Sequence, residues 1–200
     1  MDTVLLVDDD AAIRELYTIY LKQGGFAPLT VSGGSSCLDL LETTKPDLII
    51  LDLMMEPMDG WETLVAINGN PDTRTVPVVI ITGKQPVPEE ILVYGICIWD
   101  YRVKPVDIER VVSSLHLVIE RDRELKRQVD AIKARGSDPA AADEYSRLLH
   151  LVTVAHLMEK RRRKFAWTDP VPVAGQEAKL MELHARLGFP DALLETGEIP

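Results

Sequence analysis

The sequence predicts a doubly wound α/β domain followed by an all-α extension, and three observations carry the prediction. Short apolar runs recur at Thr3–Val7, Leu48–Leu51 and Val76–Ile81, as expected of strands buried on both faces of a parallel sheet. Helically spaced stretches separate them, the alternation that builds β/α units. From about Asp107 the strand signals stop and only helical spacing remains.

Taken in order, Thr3–Val7 ends in Asp8-Asp9-Asp10. Ala11–Lys22 follows with Ile13, Leu16, Tyr17, Tyr20 and Leu21 at helical spacing. Asp10 suits its N-cap, and Gly24-Gly25 ends it. A weaker strand is expected near Phe26–Val31, then a helix through Cys37, Leu38, Leu40 and Leu41. Leu48–Leu51 stops at Asp52, and the loop MMEPMDG leads into a helix from about Trp61. Val76–Ile81 ends at Thr82-Gly83. A short helix near Glu89–Tyr94 precedes a fifth strand, about Cys97–Val103, that ends at Lys104-Pro105. Five such units in the first 120 or so residues fit a flavodoxin-like sheet of strand order 2-1-3-4-5, in which ligands sit beyond the C-terminal strand ends.

Beyond that domain, Ile108, Val111, Leu115, Val118, Leu125, Val129 and Ile132 form a heptad-like seam, interrupted by Asp122, that predicts one helix from Asp107 to about Arg135. Gly136-Ser137-Asp138-Pro139 breaks it, with Ser137 or Asp138 as the next cap. A second helix is expected over about Ala140–Lys164, with Tyr145, Leu148, Leu149, Val152, Ala155 and Met158 on one stripe. Pro170 and Pro172 mark a turn, and Gln176–Leu187 is a third amphipathic stretch. Residues 1–120 and 121–200 are therefore expected to be separate domains. The apolar stripes of the second suggest a helical hairpin or a homodimer interface.

Composition bounds the function. The 200 residues are 46% hydrophobic and 27% charged, with a net charge of −10, which excludes a broadly basic nucleic-acid coat. Residues 1–120 hold 19 Asp and Glu against 8 Lys and Arg, whereas 121–200 hold 13 against 14. No apolar run approaches the roughly 20 residues of a membrane span, and MDTVLLVDDD lacks the basic start of a signal peptide. Cys37 and Cys97 stand far apart without CxxC spacing, which argues against a disulfide scaffold or a zinc site and for a reducing cytoplasm.

The chemistry lies at the strand ends. Asp8 and Asp9 follow the first strand and Asp52 the third, and like charges gathered there raise each other's pKa values. A hard divalent cation removes that cost, and Mg²⁺ takes such oxygen ligands together with waters and a phosphate oxygen. A carboxylate beside Mg²⁺ can attack phosphorus. A hydroxyl at Thr82 and an ammonium at Lys104 would bind the phosphoryl oxygens.

With LLVDDD, LIILDLMMEPMDGWE, VVIITG and DYRVKP in order and at matching spacing, the first 120 residues or so resemble the CheY-like response-regulator receiver domains of two-component signalling. The resemblance implies that Asp52 is the phosphoacceptor and that a sensor histidine kinase is the partner. It implies that Asp9 binds Mg²⁺ directly, Asp8 chiefly through water, and Met54 through its backbone carbonyl. Thr82 and Lys104 would contact the phosphoryl group, Tyr101 would be the switch aromatic, and Pro105 matches a position where a cis bond is usual. Two positions depart from the family pattern: Glu56 replaces the proline four residues after Asp52, and Cys97-Ile98-Trp99 replaces a small, Gly-containing segment.

Two other readings compete. A haloacid-dehalogenase-like phosphohydrolase would use the Asp8-Asp9-Asp10 run, but Ala12 stands where Thr or Val is expected and Asp52 would have no role. A degenerate receiver would serve only as a binding module, against which the complete Asp, Thr and Lys set argues. Met54, Met55 and Met58 read as loop packing, because thioethers are soft ligands. His116, His150, His156 and His184 read as surface or packing residues. The basic run Lys160–Lys164 reads as a solvated helix C-terminus, with nucleic-acid contact and an acidic protein partner the lesser readings.

Overall fold

The computed structural model describes residues 1–161, 171–191 and 194. Five strands, β1 (Thr3–Val7), β2 (Ala27–Val31), β3 (Leu48–Leu51), β4 (Val78–Thr82) and β5 (Asp100–Val103), form one parallel sheet in the order β2-β1-β3-β4-β5. Every residue of β3 and β4 is buried, which is why these strands read as unbroken apolar runs. β4 starts at Val78 because Pro77 has no N–H for a ladder; its carbonyl instead accepts from Ile49 N.

The helices of this region are α1 (Ala11–Gln23), α2 (Gly34–Leu41), α3 (Gly60–Gly69) and the first part of α5 (Ile108–Ala134). The chain steps one way from β1 to β2 and the other way from β2 onward. Right-handed crossovers therefore place α1 on one face of the sheet and α2 and α3 on the other. α5 shares the α1 side, with Val112 against Gly24 and the His116 ring stacked 4.1 Å from Phe26. Asp10 caps α1, accepting from the Ala12 and Ile13 N–H groups. Asp59 and Glu62 form a reciprocal capping box at α3.

Two compact units divide the chain. One comprises Met1–Gln85 with Asp100–Ile119, and the other Pro86–Trp99 with the described residues from Glu120 onward. Residues Pro86–Trp99, which the sequence reading groups with the sheet, thus cluster with the later helices. The second unit contains α4 (Pro88–Tyr94), a 3-10 turn at Gly95–Cys97, the remainder of α5, α6 (Pro139–Arg161) and α7 (Ala174–Leu187). The fifth strand is shorter than expected: Cys97–Trp99 lies outside it, because Gly95–Cys97 forms the turn and packs against α6.

Asp138 supplies the α6 cap, accepting from Ala140 N at 3.0 Å. The α6 stripe is covered within this unit, largely by α7 and the 3-10 turn. Tyr145 stacks on Phe189 at 3.8 Å and its hydroxyl meets His184 Nδ1 at 2.9 Å. Among the described residues beyond 120, Met181 is the one large apolar side chain left exposed, so the stripes offered for a homodimer are largely buried inside the chain. Arg162, Arg163, Lys164 and Pro170 lie outside the described residues. No helix among the described residues is long and apolar enough to cross a membrane.

Candidate functional site

Register places the acidic residues side by side. Val7 of β1 pairs with Leu51 of β3, so the next residues, Asp8 and Asp52, leave adjacent strand ends together. The Asp52 N–H donates to the Val7 carbonyl at 2.9 Å and the Asp8 N–H to Val31 at 3.3 Å. Both side chains are buried, Asp8 at 2% and Asp52 at 6% exposure. Buried carboxylates need partners, and Lys104, one residue past β5, supplies them. Its Nζ lies 2.7 Å from Asp8 Oδ2 and 2.7 Å from Asp52 Oδ2.

The remaining carboxylate oxygens are held by backbone. Asp8 Oδ1 accepts from Asp10 N at 2.9 Å, and Asp52 Oδ1 from Met54 N at 3.0 Å. Burial pushes the Asp8 carboxyl above its ordinary value, against the pull of Lys104 and the Asp10 amide, and the Asp52 charge adds to the rise. Burial works against the Lys104 ammonium, yet its hydrogen bonds and charge attraction to Asp52 and Asp8 hold its pKa above normal.

Thr82 ends β4 fully buried; its hydroxyl accepts from Lys84 N at 3.2 Å, and its carbonyl accepts from Lys104 N at 2.7 Å. Tyr101 is fully buried, its hydroxyl donating to the Lys84 carbonyl at 3.0 Å. Asp9 is exposed, and the Met54 side chain is 61% exposed. Glu56 is exposed, followed by a cis bond to Pro57; Lys104–Pro105 is also cis. Asp10 is occupied as the α1 cap.

Among the described residues no three of His, Cys, Asp and Glu gather closely enough to cage a metal by themselves. The donor set nevertheless suits Mg²⁺, which uses one or two carboxylates plus phosphate and water and seldom sits in an all-protein cage. Two hard oxygens already converge on one cation, the Lys104 ammonium.

Sequence reasoning missed several neighbours. Arg14 Nη1 donates to the Asp8 carbonyl at 2.8 Å; its place one turn after the Asp10 cap could have flagged it. Trp61 lies 6.3 Å from the Tyr101 ring, with Lys84 Nζ 5.9 Å from its centroid, an arrangement no spacing rule predicts. Asp100 is buried and bonded by Arg102 Nε at 2.7 Å, while Arg102 Nη2 reaches Ser114 Oγ at 3.0 Å.

Residues 4–116 match the response regulator receiver domain. The chain belongs to that family. Similar structures include the N-terminal domain of a response regulator receiver protein from Methanoculleus marisnigri JR1. That structure is 43% identical, with a TM-score of 0.51, and the match covers 59% of this chain and 96% of that one. The Mn²⁺-bound form of response regulator Rcp1 is 26% identical with a TM-score of 0.51, over 57% and 91% of the two chains. A probable cyclic di-GMP phosphodiesterase of Vibrio cholerae is 27% identical over 96% of this chain and 50% of its own length, so that likeness runs past the receiver domain into the later helices. The chain spans about half the length of the curated relatives it matches.

Proposed function

We propose that this receiver domain is the phosphoacceptor of a two-component relay in the cytoplasm, modified on Asp52 and read out through a change of partner or of self-association. The observation that carries the reading is the convergence of Lys104 on both Asp8 and Asp52 at 2.7 Å. It marks a buried, preorganised pocket of alternating charge at the strand ends of a doubly wound sheet.

In this reading a sensor histidine kinase presents a phosphohistidine. An Asp52 carboxylate oxygen attacks phosphorus, the P–N bond breaks, and the imidazole nitrogen keeps the electron pair and takes a proton. Lys104 follows the new negative charge, moving from the carboxylates to a phosphoryl oxygen. Thr82 turns its hydroxyl toward the same group. Asp8, Asp9, Asp52 and the Met54 carbonyl would hold Mg²⁺, which when bound neutralises phosphoryl charge. The metal-bound Rcp1 structure supports a divalent cation in this family.

Residues 1–120 then form the receiver and 121–200 the region that relays its state. The chain itself acts as a signalling protein, with no enzyme activity beyond acquiring and losing its own phosphoryl group. The phosphohydrolase reading fares worse, because Asp10 is committed to capping α1.

Incubation with a small acyl phosphate and Mg²⁺ tests the proposal. Wild type is expected to gain one alkali-labile phosphoryl group by mass spectrometry, and Asp52→Asn none. Equal incorporation in Asp52→Asn would overturn it.

A further inference from the structure

The methionines of the chain are placed very differently. Met55 and Met158 are buried, and Met58 is half-buried with its sulfur against Gly34. Met1, ahead of β1, and Met181, on α7, are exposed and lie outside the candidate site. Met54 is 61% exposed, yet it belongs to that site. Its amide donates to Asp52 Oδ1 at 3.0 Å. Its side chain reaches the loop after β4, where a Cβ on Gly83 would meet the Met54 sulfur at 3.4 Å. The thioether thus lies across the opening between two strand ends, one carrying Asp52 and the other Thr82. A side chain so exposed gains little from burial, so the loop packing that accounts for Met55 does not account for Met54.

An exposed thioether is open to peroxides. A sulfur lone pair attacks one oxygen of hydrogen peroxide, the S–O bond forms and the O–O bond breaks. The proton on the transferred oxygen passes to the departing hydroxide, which leaves as water. Sulfur is oxidised by two electrons and the peroxide reduced by two. The product is a polar sulfoxide, whose oxygen accepts hydrogen bonds and donates none. Carboxylates already stand exposed in the loops after β1 and β3, at Asp9 and Glu56. A sulfoxide at position 54 adds the negative end of a dipole to those acidic loops and draws water to a place that an apolar group had held.

We propose that Met54 is an oxidation site through which peroxide lowers the phosphoryl occupancy of Asp52. Two effects act in the same direction. The added dipole disfavours a phosphoryl group of nearly two negative charges, and admitted water shortens the life of an acyl phosphate. The proposal rests on the phosphoacceptor reading of Asp52.

The full chain is treated with hydrogen peroxide, cleared of it with catalase, and incubated with a small acyl phosphate and Mg²⁺. Peptide mass spectrometry locates the sulfoxides, and intact mass gives the phosphorylated fraction. Met54 is expected to oxidise in the folded protein while Met55 and Met158 are spared, and occupancy of Asp52 to fall at least threefold. Methionine sulfoxide reductase is expected to restore it. Each variant is compared with itself before and after peroxide: Met54→Leu is expected to lose its sensitivity, and Met181→Leu to keep it. Without any oxidant, Met54→Gln, which carries a polar group of similar size, is expected to hold at least threefold less phosphoryl than Met54→Leu. A Met54 sulfoxide with unchanged occupancy, equal losses in wild type and Met54→Leu, or equal occupancy of the Gln and Leu variants overturns the proposal and leaves the phosphoacceptor reading intact. No phosphoryl group on untreated wild type overturns both.

Discussion

Tyr101 and Lys84 are joined by a hydrogen bond from the phenolic hydroxyl to the backbone carbonyl, 3.0 Å long, with the ring wholly buried. The bond ties the middle of β5 to the residue two beyond Thr82. A reorientation of Thr82 and a movement of the Tyr101 ring are thereby mechanically related.

Tyr101→Phe removes that bond. A typical net loss for one hydrogen bond is about 1 kcal/mol. Urea denaturation is expected to show a drop of that size with an unchanged slope; no drop would mean that the bond is not formed in solution.

Lys104→Ala leaves Asp8 and Asp52 facing one another without their shared cation. Breaking a part-buried pair in this way costs roughly 2–4 kcal/mol. Added Mg²⁺ is expected to recover much of it, raising the Tm of the variant by more than that of the wild type. Equal Tm shifts in the two proteins would contradict this account of the pocket.

Gly60 sits where the loop after Asp52 folds back. A Cβ there would lie 2.2 Å from the Asp52 carbonyl oxygen and 2.6 Å from Leu53 Cα, and neither backbone atom can easily yield. Gly60→Ala is expected to cost about 3 kcal/mol, at the upper end of overpacking effects, and to slow phosphorylation of Asp52. A variant as stable and as reactive as wild type would refute the crowding.

His150 makes the second unit sensitive to acid. Burial lowers its pKa from 6.5 to about 4, with the Lys126 charge adding to the fall and the Ile96 backbone opposing it. The folded form binds a proton less readily than the unfolded chain. Its contribution is therefore fully present above about pH 6.5 and is lost as pH falls toward 4. Chemical denaturation across that window is expected to show declining stability, and His150→Phe to flatten the decline; an equal slope in both proteins would assign the titration elsewhere.

Much of the first region was legible because its rules are local. Apolar runs marked β1, β3 and β4, and the acidic Asp10 marked the start of α1 as the cap it proves to be. Strand ends pointed to Asp8, Asp52, Thr82 and Lys104, since a parallel sheet gathers those positions whatever the loops do. The end of the link into β5 departs from the expected strand because Cys97-Ile98-Trp99 is apolar for a different reason: the Gly95–Cys97 turn packs against α6 and the buried Trp99 ring meets His150 of that helix, outside the ladder.

By itself the sequence determined the succession of β/α units, because apolar periodicity marks each one, and its fit to a flavodoxin-like domain implied the order 2-1-3-4-5 and the gathering of Asp8, Asp52, Thr82 and Lys104 at the strand ends. Only tertiary structure decided that Lys104 bridges Asp8 and Asp52, that Tyr101 reaches Lys84, and that Pro86–Trp99 packs with α6. Those outcomes depend on contacts between residues far apart in the chain, whose strength comes from desolvation and shape, and neither is written in the spacing of residue types along one strand.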